Sequence, residues 1–115
     1  MAAALVLMVT LLLQTPIPST PPRPALAGAG RRVYESRKCA TCHMIAGQGN
    51  IRFNLDQVAS RMSVADLRRW LTDTSEMERA LPKQPAVRMS EWMKMNRKMT
   101  DADLSALVAY LATLK

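Results

Sequence analysis

Hydrophobic and polar positions divide the chain into a few short segments, most of them with helical rather than alternating spacing. The clearest lies at the C-terminal end. Leu104, Leu107, Val108, Leu111 and Leu114 recur at helical intervals behind Thr100-Asp101-Ala102-Asp103, where a Thr cap precedes acidic residues. This predicts an amphipathic helix of about four turns whose apolar stripe packs on another element. A second helix is predicted to begin at Ser63, with Ser63-Val64-Ala65-Asp66 as its capping segment and Leu67, Trp70 and Leu71 on one face. Gly30 to Cys42 is predicted as a further helix with Gly30, Val33 and Tyr34 facing inward, and Leu55 to Arg61 as a short one. Between these, Met44–Asn54 is polar and carries Gly47 and Gly49, which predicts a loop. Thr72–Pro85 is predicted to be irregular, with one helical turn at Ser75–Leu81. No repeat or second domain is visible, and the fold class is all-α.

The N-terminal segment has a different character. Ala2–Leu13 is apolar except for Thr10 and is followed by a Pro-rich stretch from Gln14 to Pro24. The run is shorter than the roughly 20 residues of a transmembrane helix and suits the apolar region of an export signal. Ala25-Leu26-Ala27 provides a small-residue cleavage pattern, so residues 1–27 are expected to be a signal peptide and residues 28–115 the domain. No Lys or Arg precedes the run, and an uncleaved anchor at a membrane surface is the competing expectation.

Composition sharpens the picture. With 115 residues, of which 49% are hydrophobic and 22% charged, the chain suits one compact domain. Its aromatic residues are only Tyr34, Phe53, Trp70, Trp92 and Tyr110. So small a core usually needs a disulfide, a metal or a large cofactor at its centre. The formal net charge is +7, with basic residues spread along the chain. That field favours encounter with an acidic partner surface and is weakened by salt. Nucleic-acid binding is not expected, since no fold signature or aromatic interleaving accompanies the basic residues.

The candidate chemistry centres on Cys39-Ala40-Thr41-Cys42-His43, the CxxCH arrangement of covalent haem attachment. Thiols three positions apart on one turn can each reach a vinyl group of the same porphyrin, and the next side chain, His43, then lies beneath the iron. Other readings of the cysteine pair fare worse. A thioredoxin-like redox pair lacks the surrounding strand and helix alternation. A structural zinc needs four ligands where Cys39, Cys42 and His43 are the only candidates. A disulfide across two residues closes too small a loop to stabilise much. One haem c, bound through Cys39 and Cys42 with His43 as proximal ligand, is therefore expected.

From Ala29 to Lys115 the chain resembles the class I cytochrome c family of small monohaem electron carriers. The matching features are Gly30 and Tyr34, the CATCH pentapeptide, the Gly-rich stretch after it, Leu67–Leu71, and the Thr100–Leu111 segment. The resemblance implies an all-α fold whose first and last helices cross near the haem, with Tyr110 against the Gly30 region. It also implies a backbone carbonyl supporting the proximal histidine, usually from a Gly-Pro pair, and a distal Met followed by Pro. Here the corresponding stretches depart from the pattern: Arg52-Phe53-Asn54-Leu55 replaces Gly-Pro, and no Met-Pro occurs.

His43 is the only histidine, so two histidines of this chain cannot ligate the iron together. Among Met89, Met93, Met95 and Met99, Met89 is the first choice of distal ligand because Ser90-Glu91-Trp92 follows it much as Pro-x-aromatic does in the family. Met93 and Met95 remain alternatives, and Met99 is expected to pack before the Thr100 cap. Trp70 and Trp92 suit either the porphyrin or the core, and Arg61, Arg68 and Arg69 suit either propionates or solvent. The function expected is single-electron transfer between redox partner proteins in the periplasm, as a free carrier or a small subunit of an oxidoreductase. The alternative is a haem peroxidase or gas sensor with a labile sixth ligand.

Overall fold

A computed structural model describes residues 23–96 and 99–115. The apolar run Ala2–Leu13 lies outside the described residues, whereas the expected cleavage point after Ala27 falls inside the first helix, α1 (Arg23–Ser36). Pro24 sits in its first turn, where a missing N–H costs nothing. Beyond α1 come a 3-10 turn (Cys39–Thr41), strands β1 (His43–Ile45), β2 (Gln48–Gly49) and β3 (Phe53–Asn54), then helices α2 (Val58–Arg61), α3 (Val64–Thr72), α4 (Thr74–Arg79), α5 (Met89–Met95) and α6 (Asp101–Leu111). The fold is all-α apart from these minimal strands. No helix among the described residues is long and apolar enough to cross a membrane.

Two helix starts follow the local rules read from sequence. Ser63 accepts the Asp66 amide and opens α3, and Thr100 accepts the Asp103 amide and opens α6, both at 3.1 Å. Along α6, Leu104, Leu107, Val108 and Leu111 are buried, and Leu114 packs beside them beyond its end. The C-terminus is tied in by the Ala59 N–H, which donates to the Leu114 carbonyl at 2.9 Å.

The main helix pair is α1 on α6. Gly30 makes it possible: a Cβ there would collide with the Ala106 carbonyl and lie 2.7 Å from the Tyr110 Cβ. Tyr34, one turn on, meets Tyr110 edge to face at 5.9 Å between ring centres, a favoured aromatic geometry. The expected contact between Tyr110 and the Gly30 region is thus present. At the far end of α1, Arg37 pairs with Asp103 at 3.7 Å, joining the end of one helix to the start of the other.

Three regions differ from the sequence-based prediction. The first helix ends at Ser36 instead of running to Cys42, because Lys38 takes a left-handed conformation (φ 58°) and the motif continues as a 3-10 turn. The stretch predicted as loop from Met44 to Asn54 contains a small sheet in the order β2-β1-β3, with β1 antiparallel to β2 and parallel to β3. The expected turn at Ser75–Leu81 is found as α4, and Met89–Met95, for which no element was predicted, is helical.

Gly30→Ala gains roughly 1 kcal/mol of helix propensity. It forces two backbones apart, however, and overpacking of this kind costs about 1–3 kcal/mol. A net loss of stability is expected, measurable by denaturant unfolding of the holoprotein. An unchanged midpoint would mean that the α1–α6 contact is looser than described.

Candidate functional site

All six helices, the motif and β3 line a half-open cavity of about 1100 Å³. This is at or above the upper end of ordinary small-molecule pockets, roughly 300–1,000 Å³. Cys39, Cys42 and His43 form one part of its wall. Trp70, Leu71, Leu104 and Leu107 give apolar surface, and Met89, Trp92, Met93 and Met99 contribute from α5 and beyond.

The left-handed Lys38 and the 3-10 turn turn the chain so that Cys39 and Cys42 are both half-buried and both free thiols. Burial, chiefly, pushes the Cys39 thiol up to about 11. A thiol held protonated is a poor redox nucleophile. Among the described residues no group of three or more His, Cys, Asp or Glu side chains is placed to hold a metal ion.

Pairing of β1 with β3 sets His43 opposite Phe53, and the His43 Nδ1–H donates to the Phe53 carbonyl at 3.2 Å. A carbonyl can only accept, so Nδ1 carries the proton and Nε2 is left with its lone pair. Burial lowers the His43 pKa, with the Phe53 bond acting the other way, and the ring stays neutral as ligation requires. The carbonyl that the absent Gly-Pro pair put in doubt is therefore supplied by Phe53. Gly49 keeps this register. Its φ of +106° is a glycine conformation, a Cβ would strike the His43 carbonyl, and the Asn50 amide donates to that same carbonyl at 3.0 Å.

Of the methionines read from sequence, Met89 and Met93 lie in the cavity wall, one helical turn apart on the same face of α5. Met95 is 76% exposed and is not part of the wall. Met99 packs on the core as expected and reaches the cavity as well. Trp70 and Trp92 both line it. Arg61 and Arg68 lie at the wall, where Arg61 also donates to the Asn54 and Asp56 carbonyls at 3.5 and 3.4 Å. Arg69 lies outside and pairs with Asp73 and Glu76, both at 4.0 Å.

Sequence reasoning missed a polar pair at the start of α5. Glu78 is 3% exposed; its Oε1 accepts the Ser90 amide at 2.8 Å and its Oε2 accepts the Ser90 hydroxyl at 2.6 Å. Burial pushes the Glu78 carboxyl up, but the Ser90 hydroxyl and amide, the Arg88 charge and the Met89 amide outweigh it and hold the carboxyl below its ordinary value. The only sequence signal was a Glu inside a segment that read as polar loop.

The wall suits a covalently attached haem. It offers two free thiols, a neutral imidazole with one nitrogen open, thioether sulfurs on another element and apolar surface between them. Tyr34, also in the wall, has a buried hydroxyl without a partner among the described residues, which suits a cavity whose natural content is polar in part.

An all-α domain built around such a cavity, with thiols and imidazole from one short turn, defines a small covalent haem protein. Residues 27–115 match the family model of cytochrome c, and the chain belongs to the cytochrome c family. No curated protein and no solved structure matches it. Membership gives the cofactor as haem c, bound covalently through cysteine, with Cys39 and Cys42 in the required spacing, and gives the general role of electron transfer.

Gly47 and Gly49 both have positive φ, but only Gly49 has a backbone against it. Gly47→Ala is expected to cost about 1–2 kcal/mol, the penalty of a left-handed residue. Gly49→Ala is expected to cost more and to shift the haem absorption of the holoprotein through His43. Equal thermal midpoints and unchanged spectra for the two variants would refute this role of Gly49.

Proposed function

We propose that this protein is an exported monohaem electron carrier, acting in the periplasm as a free carrier or as a small subunit of an oxidoreductase. His43 and Met89 are its axial ligands. The observation that carries this reading is the single cavity whose wall holds Cys39, Cys42, His43 and Met89 together. Bound haem supplies the one-electron iron couple, and a thioether opposite the imidazole favours the ferrous state and raises the potential. The chain's own residues have three tasks: His43 is held in one tautomer by Phe53, the apolar wall limits water near the iron, and Met89 is presented from the first residue of α5.

Met89 is preferred to Met93 because the start of α5 is anchored by buried hydrogen bonds. The same anchoring argues against a peroxidase or gas sensor, which needs a sixth position that opens. The N-terminal apolar run and the Ala25-Leu26-Ala27 pattern support export, with membrane contact only if the segment is retained. The +7 charge supports docking on acidic surfaces of redox partners.

Met89→Ala is expected to abolish the weak absorption band at the red end that arises from sulfur-to-ferric-iron charge transfer, and Met93→Ala to leave it. A high-spin ferric spectrum with fast CO binding in the unmodified holoprotein would overturn the carrier reading. Electron exchange with an acidic redox protein is expected to slow as ionic strength rises; a salt-independent rate would contradict the docking reading.

A further inference from the structure

α5 is a short helix with a demanding task. It spans only Met89–Met95, and isolated helices of this length do not hold together in water. Its N-cap residue, Arg88, makes no side-chain capping bond. The segment leading into it contains Pro82 and Pro85, and Leu81–Gln84 is exposed. Among the described residues no side-chain cap from its own segment fixes the first turn of α5.

The fixing group comes from another helix. Glu78, near the end of α4, turns its carboxylate to the first amides of α5 and to the Ser90 hydroxyl, twelve residues away in sequence. The Met89 amide helps to hold the carboxyl below its ordinary value. On the other side of Glu78 its own carbonyl accepts the Gln84 side-chain amide at 2.7 Å, which draws the connection back onto α4. A carboxylate this buried is tolerated only while its donors stay in place, so the arrangement admits little drift.

We propose that Glu78 is a positioning residue that, through Ser90, clamps the first turn of α5 and thereby sets how tightly the Met89 sulfur holds the sixth coordination position. The inference rests on Met89 being the distal ligand. With the clamp intact the thioether returns to the iron faster than an outside ligand can replace it. With the clamp weakened the fold persists but the sixth position becomes labile.

The test is imidazole binding to the ferric holoprotein, in which imidazole competes with the methionine. Glu78→Gln keeps the shape and removes the charge, and is expected to tighten apparent imidazole binding roughly tenfold, the scale of one charge-assisted hydrogen bond. Ser90→Ala, a milder change, is expected to tighten it about threefold, the scale of one neutral hydrogen bond. The double variant is expected to fall short of the product of the two, because both remove the same interaction. In each variant the charge-transfer band persists in the absence of imidazole. If Glu78→Gln does not mature, Ser90→Ala decides alone.

Met89→Ala separates the two levels of the argument. If it abolishes the band while Glu78→Gln and Ser90→Ala bind imidazole within about 1.5-fold of the unmodified protein, the ligand assignment stands and the clamp is overturned. If the band survives Met89→Ala, the ligand assignment fails, and the clamp with it.

Discussion

The constraint on which everything else depends is that the chain cannot fill its own centre. Among the described residues the buried apolar side chains are few, none falls below 2% exposure, and together with their half-buried neighbours they pack around a cavity of about 1100 Å³. At roughly 25 cal/mol per Å² of buried apolar surface, so small a core does not readily offset the entropy of ordering the helices. The haem supplies the missing apolar volume, and its covalent attachment at Cys39 and Cys42 keeps that volume in place. The α1–α6 crossing at Gly30 then acts as the frame that brings Tyr34, Leu107 and Leu111 to the same centre.

The two parts of the cavity wall that hold His43 and Met89 are fixed by different devices. At His43 the backbone does the holding: β1 pairs with β3, and the Phe53 carbonyl fixes the ring. At Met89 the connection is longer, and a buried side chain, Glu78, ties the start of α5 to α4 through Ser90. The placement of His43 is thus built into nearby chain, whereas that of Met89 depends on a contact across sequence.

What was legible in the sequence was local. CATCH stands as five consecutive residues, and the Ser63 and Thr100 caps depend on side chains three positions away from the amides they satisfy. The stripe of α6 is visible because its burial pattern is helical throughout. What escaped was decided elsewhere in the chain. The break at Lys38 opposes a helical pattern that would otherwise run into the motif. Strands of two or three residues are too short to show any periodicity, and the Phe53 carbonyl, being backbone, has no signature in residue type. Nothing in the sequence singled out Glu78, because its partner Ser90 lies beyond a Pro-containing connection. Met95 could not be separated from Met89 and Met93 until α5 assigned them to different faces.

The central claim is that the haem is the centre of the hydrophobic core and not a guest in a preformed pocket. Its most direct test is the Cys39→Ala/Cys42→Ala variant purified without haem, compared with the holoprotein by far-ultraviolet circular dichroism and amide hydrogen exchange. The account predicts loss of most helical signal and of protection along α1 and α6. A haem-free variant that retains native protection at Leu107 and Leu111 would contradict it.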